Sequence, residues 1–440
     1  MLSFWHDSPE YEQRKNLPFS PPKATLAQVR AAVPKHLFKK NTTKGMLYVA
    51  RDVLCAVLVY KLAWGIDSCS YTLRAWPLLA GLVRWSLWLC YWWCEGIILA
   101  GWWCMAHEVC MLSKHRPFLY VDPALKAGHG NLSANNWVNH AIGFSLHSFL
   151  LTPFYAWRAS HHAHHKATMS VERDENYVPR TRRDFNLPDE STAQPIDYHD
   201  IFEDAPFYTL LRILIMQLLG WPLYLFTNVM GNPRHPAGTN HFLPSSSLFQ
   251  PHQRNSILFS DLGLCAMSFV LYLWTRQPSV GLAAFIKLYF IPWMCVNHWI
   301  VMLTYLHHVD PTIPYFRKAQ WSFLRGAVST VDRPFLGWAG RFFLHNVSHD
   351  HISHHLFSSI PFYNQPLVTQ HIKEVLKENY NYDSTNSFRA LYRTFTQCCF
   401  IEDDGDIVFY KNKDGVAARS LATDALARPM SIASEARTPN

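Results

Sequence analysis

The chain has 440 residues, of which 49% are apolar and 16% charged, and a formal net charge of +8. Average soluble domains carry roughly a quarter charged residues, so this composition excludes a disordered chain, and the lack of a G-X-Y period excludes collagen. A mild basic excess without a long basic run fits a positive-inside membrane protein better than a nucleic-acid binder. The counts of 17 Trp and 24 His are both unusual, and both are clustered. The mean hydropathy of −0.07 averages over segregated segments, so membrane character is read segment by segment. The ten Cys sit mostly in apolar stretches without paired spacings. They read as buried thiols and not as a disulfide framework.

Residues 1–45 are polar and Pro-containing, with no apolar core of signal-peptide length. Within them Thr25 is placed to cap a short helix over ATLAQVRAAV. Apolar stretches of spanning length follow at 46–66, 83–106, 257–274 and 280–303; about 20 residues cross the hydrocarbon core. The polar link TRQPS is so short that the last two form an antiparallel hairpin. Two further stretches, 137–157 and 207–231, also have the length. Parity sorts the six. If the three His-rich clusters below build one site, they share one side of the bilayer, and an even number of crossings separates each pair. Four spans in two hairpins satisfy this, with 137–157 and 207–231 as re-entrant or interfacial helices. The expected fold is therefore all-α and integral to the membrane: four transmembrane helices in two hairpins, interfacial helices, and a His-rich cap. The alternative is a soluble protein with six core helices, but spanning-length runs this free of charge are rare in soluble folds. Residues 180–206 read as a charged loop, 46–412 as the membrane domain, and 413–440 as a disordered tail.

Two sequences carry the chemistry: His161-His162-Ala163-His164-His165 and His351-Ile352-Ser353-His354-His355. Each contains HxxHH, a triplet that chance supplies well under once in a chain of this His content. On a helix, positions i, i+3 and i+4 share a face, so three imidazoles converge on a metal ion or a close metal pair. Imidazole suits Fe, Zn, Cu and Ni alike, so ligand type does not select the ion. His107-Glu108 ends the second apolar stretch, Gly128-His129-Gly130 follows, and His307-His308 ends the fourth. Ionisable groups at membrane depth are functional candidates; His345 is a further one. His140, His147, His235, His241 and His298 read as structural or interfacial. Glu108, Glu172, Asp174 and Asp350 lie near enough in sequence to accept imidazole N–H groups, and nothing in the sequence ranks them.

With their surroundings, these boxes resemble the membrane fatty acid desaturases, most closely the fungal delta-12 (oleate) group. That family's boxes read HExGH, HxxHH and HxxHH. WRASHHAHHKATMSVERDENYVP, RGAVSTVDRPF, HNVSHDHISHHLFSSIPFY, VNHWIVMLTYLHHVDPTIPYF and the leader PFSPPKATLAQVRAAVPKHLF are all similar to family patterns. The resemblance covers residues 17–412. It implies four spans in the endoplasmic reticulum membrane, with the histidine boxes and both termini cytosolic. It also implies a non-haem di-iron centre that uses O2 and electrons from NADH through cytochrome b5 and its reductase. By position, the resemblance assigns the metal ligands to His107, His129, His161, His164, His165, His351, His354 and His355, with His308 as the ninth. The implied reaction places a cis double bond in an acyl chain, oleate to linoleate, on an acyl-lipid or acyl-CoA substrate. The same boxes serve omega-3 desaturation, hydroxylation and acetylenic-bond formation. From another class, a His-liganded zinc membrane protein such as a receptor needs about four ligands, whereas eight or nine convergent His imply two metals. HPAG at 235–238 superficially resembles a cytochrome b5 motif, but no haem domain fits that loop, so the electron donor is expected to be a separate protein.

The first box departs from the family pattern. Between Glu108 and Gly128 lies VCMLSKHRPFLYVDPALKA, where the family has one residue. Removing Val109 to Lys126 restores HEAGHGNLS. Val-Cys is encodable by GTATGT, a common start of fungal introns, and Lys by AAG, which ends as introns do. The expectation is a translated, unspliced intron that leaves the chain weakly active or inactive; a genuine loop is the alternative, and a product without function the extreme case.

Overall fold

The computed structural model describes residues 5–110, 131–202 and 205–426. It is predominantly helical. Helix α1, Thr42–Ala63, starts where the Asn41 side chain accepts from Lys44 N, satisfying one of the free amides of a first turn. Helix α2, Pro77–Cys110, has 34 residues, about 51 Å at 1.5 Å per residue. Helix α3 is Asn136–Phe149 and α4 is Phe154–Ala167. Helix α5, Pro206–Thr227, contains Pro222; α6 is Arg254–Thr275. Helix α7 runs Gly281–His308, with one π-helical turn at Ile286–Phe290. The third box lies on the short helix α8, His351–Leu356, and α9, Ser387–Gln397, follows it.

Among the described residues three helices are long and apolar enough to cross a membrane: Pro206–Thr227, Pro251–Thr275 and Gly281–His308. The last two coincide with the expected second hairpin. The first differs from expectation, because parity had made 207–231 re-entrant or interfacial; as a helix it has the length and composition of a span. Helices α1 and α2 occupy the expected first hairpin. Arg51, Asp52 and Lys61 dilute one, and Glu95 and a run of Trp dilute the other. The stretch 137–157 is broken into α3 and α4. Pro153 restricts Thr152 to extended backbone, and Leu151 turns left-handed at φ 53°.

Helix α2 packs against α7 at a point where neither side chain keeps them apart: a Cβ on Gly96 would stand 2.4 Å from Cys295 Cβ. Small residues permit this close approach inside a membrane. The polar half is pinned by a buried charge network. Arg333 donates to Asp310 at 2.7 Å and to Asp383 at 2.6 Å, while Arg393 donates to Asp383 at 2.6 Å and to Asp7 at 2.7 Å. A two-stranded sheet, β1 (Tyr315–Phe316) with β2 (Ile407–Val408), pairs Tyr315 with Val408. Within the 413–440 tail, expected to be disordered, the described part makes some fixed contacts: Leu421 bridges Phe19, and Arg419 and Ala425 are buried. Among the described residues no cysteine is paired, and only Cys104 is fully buried; Cys69, Cys90 and Cys265 are exposed, which corrects the expectation of buried thiols.

Candidate metal centre

Helix α4 carries the second box on its inner face. Trp157 stacks on His161, with ring centroids 4.4 Å apart, one helical turn along the same stripe. The chain leaves α4 in a turn that Asp174 closes. Its carboxylate accepts from Met169 N at 2.7 Å and from His164 Nδ1 at 2.6 Å. Thr168 Oγ1 donates to His164 O and stands 3.2 Å from His355 Nδ1, tying the second box to the third. Helix α8 is only six residues long and every one of them is buried; Asp332 holds its start by accepting from Ile352 N. His308 arrives as the last residue of α7, and Tyr315 Oη donates to its carbonyl.

Eight of the nine sequence-assigned histidines are thereby brought together, all buried. His129 lies outside the described residues. His107, His161, His165 and His354 form one group and His164, His308 and His355 a second; within each, one ligand-capable atom per residue lies within 4.8 Å of the others. His351 joins the second group, its Nε2 3.0 Å from that of His308 and 3.1 Å from that of His355. The groups share a wall where His165 and His355 stack at 4.1 Å.

Burial, then repulsion from neighbouring imidazoles, pushes the basicity of His161, His165, His351 and His355 well below the ordinary range. They are therefore neutral, with a lone pair free for coordination. The Nδ1 atoms of His165, His308 and His351 have no hydrogen-bond partner among the described residues. Nε2 atoms of neutral rings, meanwhile, face one another at about 3 Å, as in His351–His355 at 3.1 Å. Buried polar atoms left in this state are costly, and a metal ion held in each group would account for them.

The acids are now ranked by contact. Asp174 orients His164, and Glu108 lies 3.0 Å from His354 Nδ1 while accepting from Asn131. Glu172 accepts only weakly from nearby groups, and Asp350 pairs with Arg341. His307 bonds Val331 O and joins neither group. His345 pairs with Asp52 at 2.6 Å. That acid inside the first apolar stretch was a sequence signal left unused. His140, His147, His235, His241 and His298 are outside both groups; His241, for example, bonds Ser160 Oγ.

A cavity of about 310 Å³ opens onto the clusters. Its inner end is lined by His107, His161, His164, His308 and His351, and its walls by α5 and α7. The walls are mostly apolar, the character of a site for a hydrocarbon.

The family model for fatty acid desaturase matches residues 126–386. The chain belongs to the fatty acid desaturase family. A second model, a domain of unknown function (DUF3474), matches residues 6–63 of this desaturase-family chain. A Delta(12) fatty acid desaturase of Mortierella isabellina is 36% identical over 409 residues, covering 92% of this chain and 93% of its own. An omega-6 fatty acid desaturase of the endoplasmic reticulum from Brassica juncea is 32% identical, covering 92% and 96%. The oleate hydroxylase FAH12 of Claviceps purpurea is also 32% identical, covering 92% and 84%.

Proposed function

We propose that the chain is an O2-dependent acyl desaturase of the endoplasmic reticulum membrane that converts oleate to linoleate. One observation carries this reading: two adjoining histidine groups sit at the inner end of an apolar cavity, in a chain similar to Delta(12) desaturases over 92% of its length. His107, His161, His165 and His354 would hold one metal, and His164, His308, His351 and His355 the other, with His129 completing the set. Iron at these positions would supply the O2 chemistry that breaks unactivated C–H bonds, which acid–base side chains do not do. The protein's own share is placement. Asp174 and Glu108 orient imidazoles, Trp103, Trp157 and Trp221 wall the inner cavity, and the apolar lining keeps water from the reacting methylenes. Electrons would come from NADH through cytochrome b5 and its reductase.

The interrupted first box belongs to the same proposal. Helix α2 continues through Val109, fully buried, to Cys110, while the rest of the insert lies outside the described residues. His107 and His129 of an intact box would be one turn apart; here their meeting depends on closing a long loop. The test is expression in a microbe that makes oleate but no linoleate, as the full chain and as a version lacking Val109 to Lys126. Linoleate from the shortened version alone supports both the activity and the intron reading. Linoleate from both makes the segment a tolerated loop. No lipid change from either removes the oleate assignment. A second reading, hydroxylation, is favoured by the similarity to the Claviceps hydroxylase; a hydroxylated product would establish it.

A further inference from the structure

The net charge of +8 is not spread over the chain. Residues 13–51 contain nine Lys and Arg and no Asp or Glu, whereas the other 401 residues contain 31 Lys and Arg against 32 Asp and Glu. The whole positive excess therefore lies in one stretch, just before and at the start of α1. Two of its cations are used internally: Arg14 donates to Thr312 Oγ1 at 2.7 Å, and Arg51 pairs with Asp52 at 2.6 Å. The others have no part in the chemistry above. Membrane orientation by Lys and Arg does not account for the pattern either. Acids count for little in that rule, yet here they are excluded over 39 residues.

The fold presents these charges from a fixed scaffold. Thr25 and Gln28 cap the helix Leu26–Ala32 reciprocally, and Val29, Val33 and Leu37 are buried in one cluster with Ile352 and Leu356 of α8. Asn364 Nδ2 donates to Leu37 O at 2.8 Å, and Asn41 N to Tyr363 Oη at 2.9 Å. With its apolar side buried, the stretch leaves Lys23, Arg30, Lys35, Lys39 and Lys44 exposed, and none of these five forms an ion pair among the described residues. Lys44 sets their depth. It heads the stripe of α1 that continues through Leu47, Leu54, Leu58 and Leu62. Those four leucines are 54–75% exposed, a face suited to hydrocarbon. A cation one turn before the first of them stands where lipid headgroups lie.

We propose that this stretch is a docking site for anionic phospholipid, with Lys35, Lys39 and Lys44 at its centre. Exposed ammonium groups beside a span attract negative headgroups, and the attraction falls off within a Debye length of the surface. The occupant is a bilayer lipid and not soluble phosphate, because the last of these cations stands on the hydrocarbon-facing stripe of α1. The inference rests on the membrane reading alone and is independent of the acyl substrate and the metal.

The test is equilibrium binding to the purified full chain in an uncharged detergent, without turnover, so the interrupted first box does not enter. Fluorescent phosphatidylserine and the matching phosphatidylcholine are titrated at low salt. Phosphatidylserine should bind roughly tenfold more tightly, a preference that shrinks in about 0.5 M salt. Lys35→Gln, Lys39→Gln and Lys44→Gln together should bring the two lipids within about twofold of each other. The pair Lys35→Gln and Lys39→Gln leaves Lys44 over the Tyr363 ring; it should lose part of the preference, and it replaces the triple variant if that protein does not fold. Arg183→Gln, Arg276→Gln and Lys318→Gln together remove as many exposed cations elsewhere and should keep the preference. Inorganic phosphate at matched ionic strength should not compete. Four results would each overturn the proposal: no preference in the parent, an unchanged preference in the Lys35, Lys39 and Lys44 variants, an equal loss in the control, or displacement by inorganic phosphate.

Discussion

At the scale of single residues, the acids matter through the histidines they touch. Asp174 accepts from His164 Nδ1 and from the Met169 amide, so one carboxylate orients the ring and shapes the turn that follows it. Asp174→Asn keeps the shape but removes the charge. Such partners of metal ligands typically matter about 10–100-fold in metal affinity, so Asp174→Asn should lose metal during dialysis that leaves the parent loaded. Metal analysis per chain checks this, and Glu172→Gln, whose side chain touches no histidine in either group, is the control that should stay loaded. The sequence offered four acids of equal standing. What separated them was the turn at Thr168–Asp174, a backbone feature with no signature beyond the residues themselves.

At the scale of elements, close approach between backbones governs the arrangement. Gly326 lies on the short helix Phe323–Val328, where an added Cβ would stand 2.2 Å from Thr168 O, the backbone just past the second box. That carbonyl is held by Trp321 Nε1 at 3.0 Å and cannot yield easily. Gly326→Ala should therefore destabilise the fold by about 1–3 kcal/mol, the usual cost of overpacking, and should loosen metal binding as well. Thermal unfolding in detergent, alongside metal content, checks both effects. The first box is an element-scale matter too. Deleting Val109 to Lys126 should raise metal occupancy above that of the full chain, because His129 would then follow His107 on one helix. Equal occupancy in the two forms would contradict this.

At the scale of the whole molecule, the N-terminus, the α7 end and the C-terminal helix meet in one buried network. Burial alone would raise the Asp383 carboxyl, but Arg333, Arg393 and Arg14 together hold it well below the usual carboxylate range. A depressed native value adds stability that is present above the unfolded value near pH 4 and is lost as pH falls through the native one. Asp383→Asn should destabilise the protein at neutral pH by about 3–5 kcal/mol, the penalty for breaking a buried pair. The gap to the parent should narrow below about pH 4. Melting curves at pH 7 and pH 3 decide it; a gap that is constant with pH would remove the electrostatic account.

Period and spacing were enough to show the apolar helices and the two HxxHH faces, because these depend on residues a few positions apart; the break in the first box showed only against the family pattern. The full set of nine histidines was likewise assigned by the resemblance to the family, and spacing alone carried only the two HxxHH triplets. Which pair with which, neither could show. His107 meets His354, and His165 stacks on His355, only because α2, α4 and α8 converge from distant parts of the chain. The choice of His308 over His307 rests on the rotation of the last turn of α7, and the bridge between Leu421 and Phe19 joins positions about four hundred residues apart. Helix α5 shows the limit most plainly. Its apolarity was legible, but its service as the wall of a cavity that reaches the histidines exists only once it lies against α7. Local pattern determines what a segment is made to bury; what it is buried against is decided by contacts that no local pattern contains.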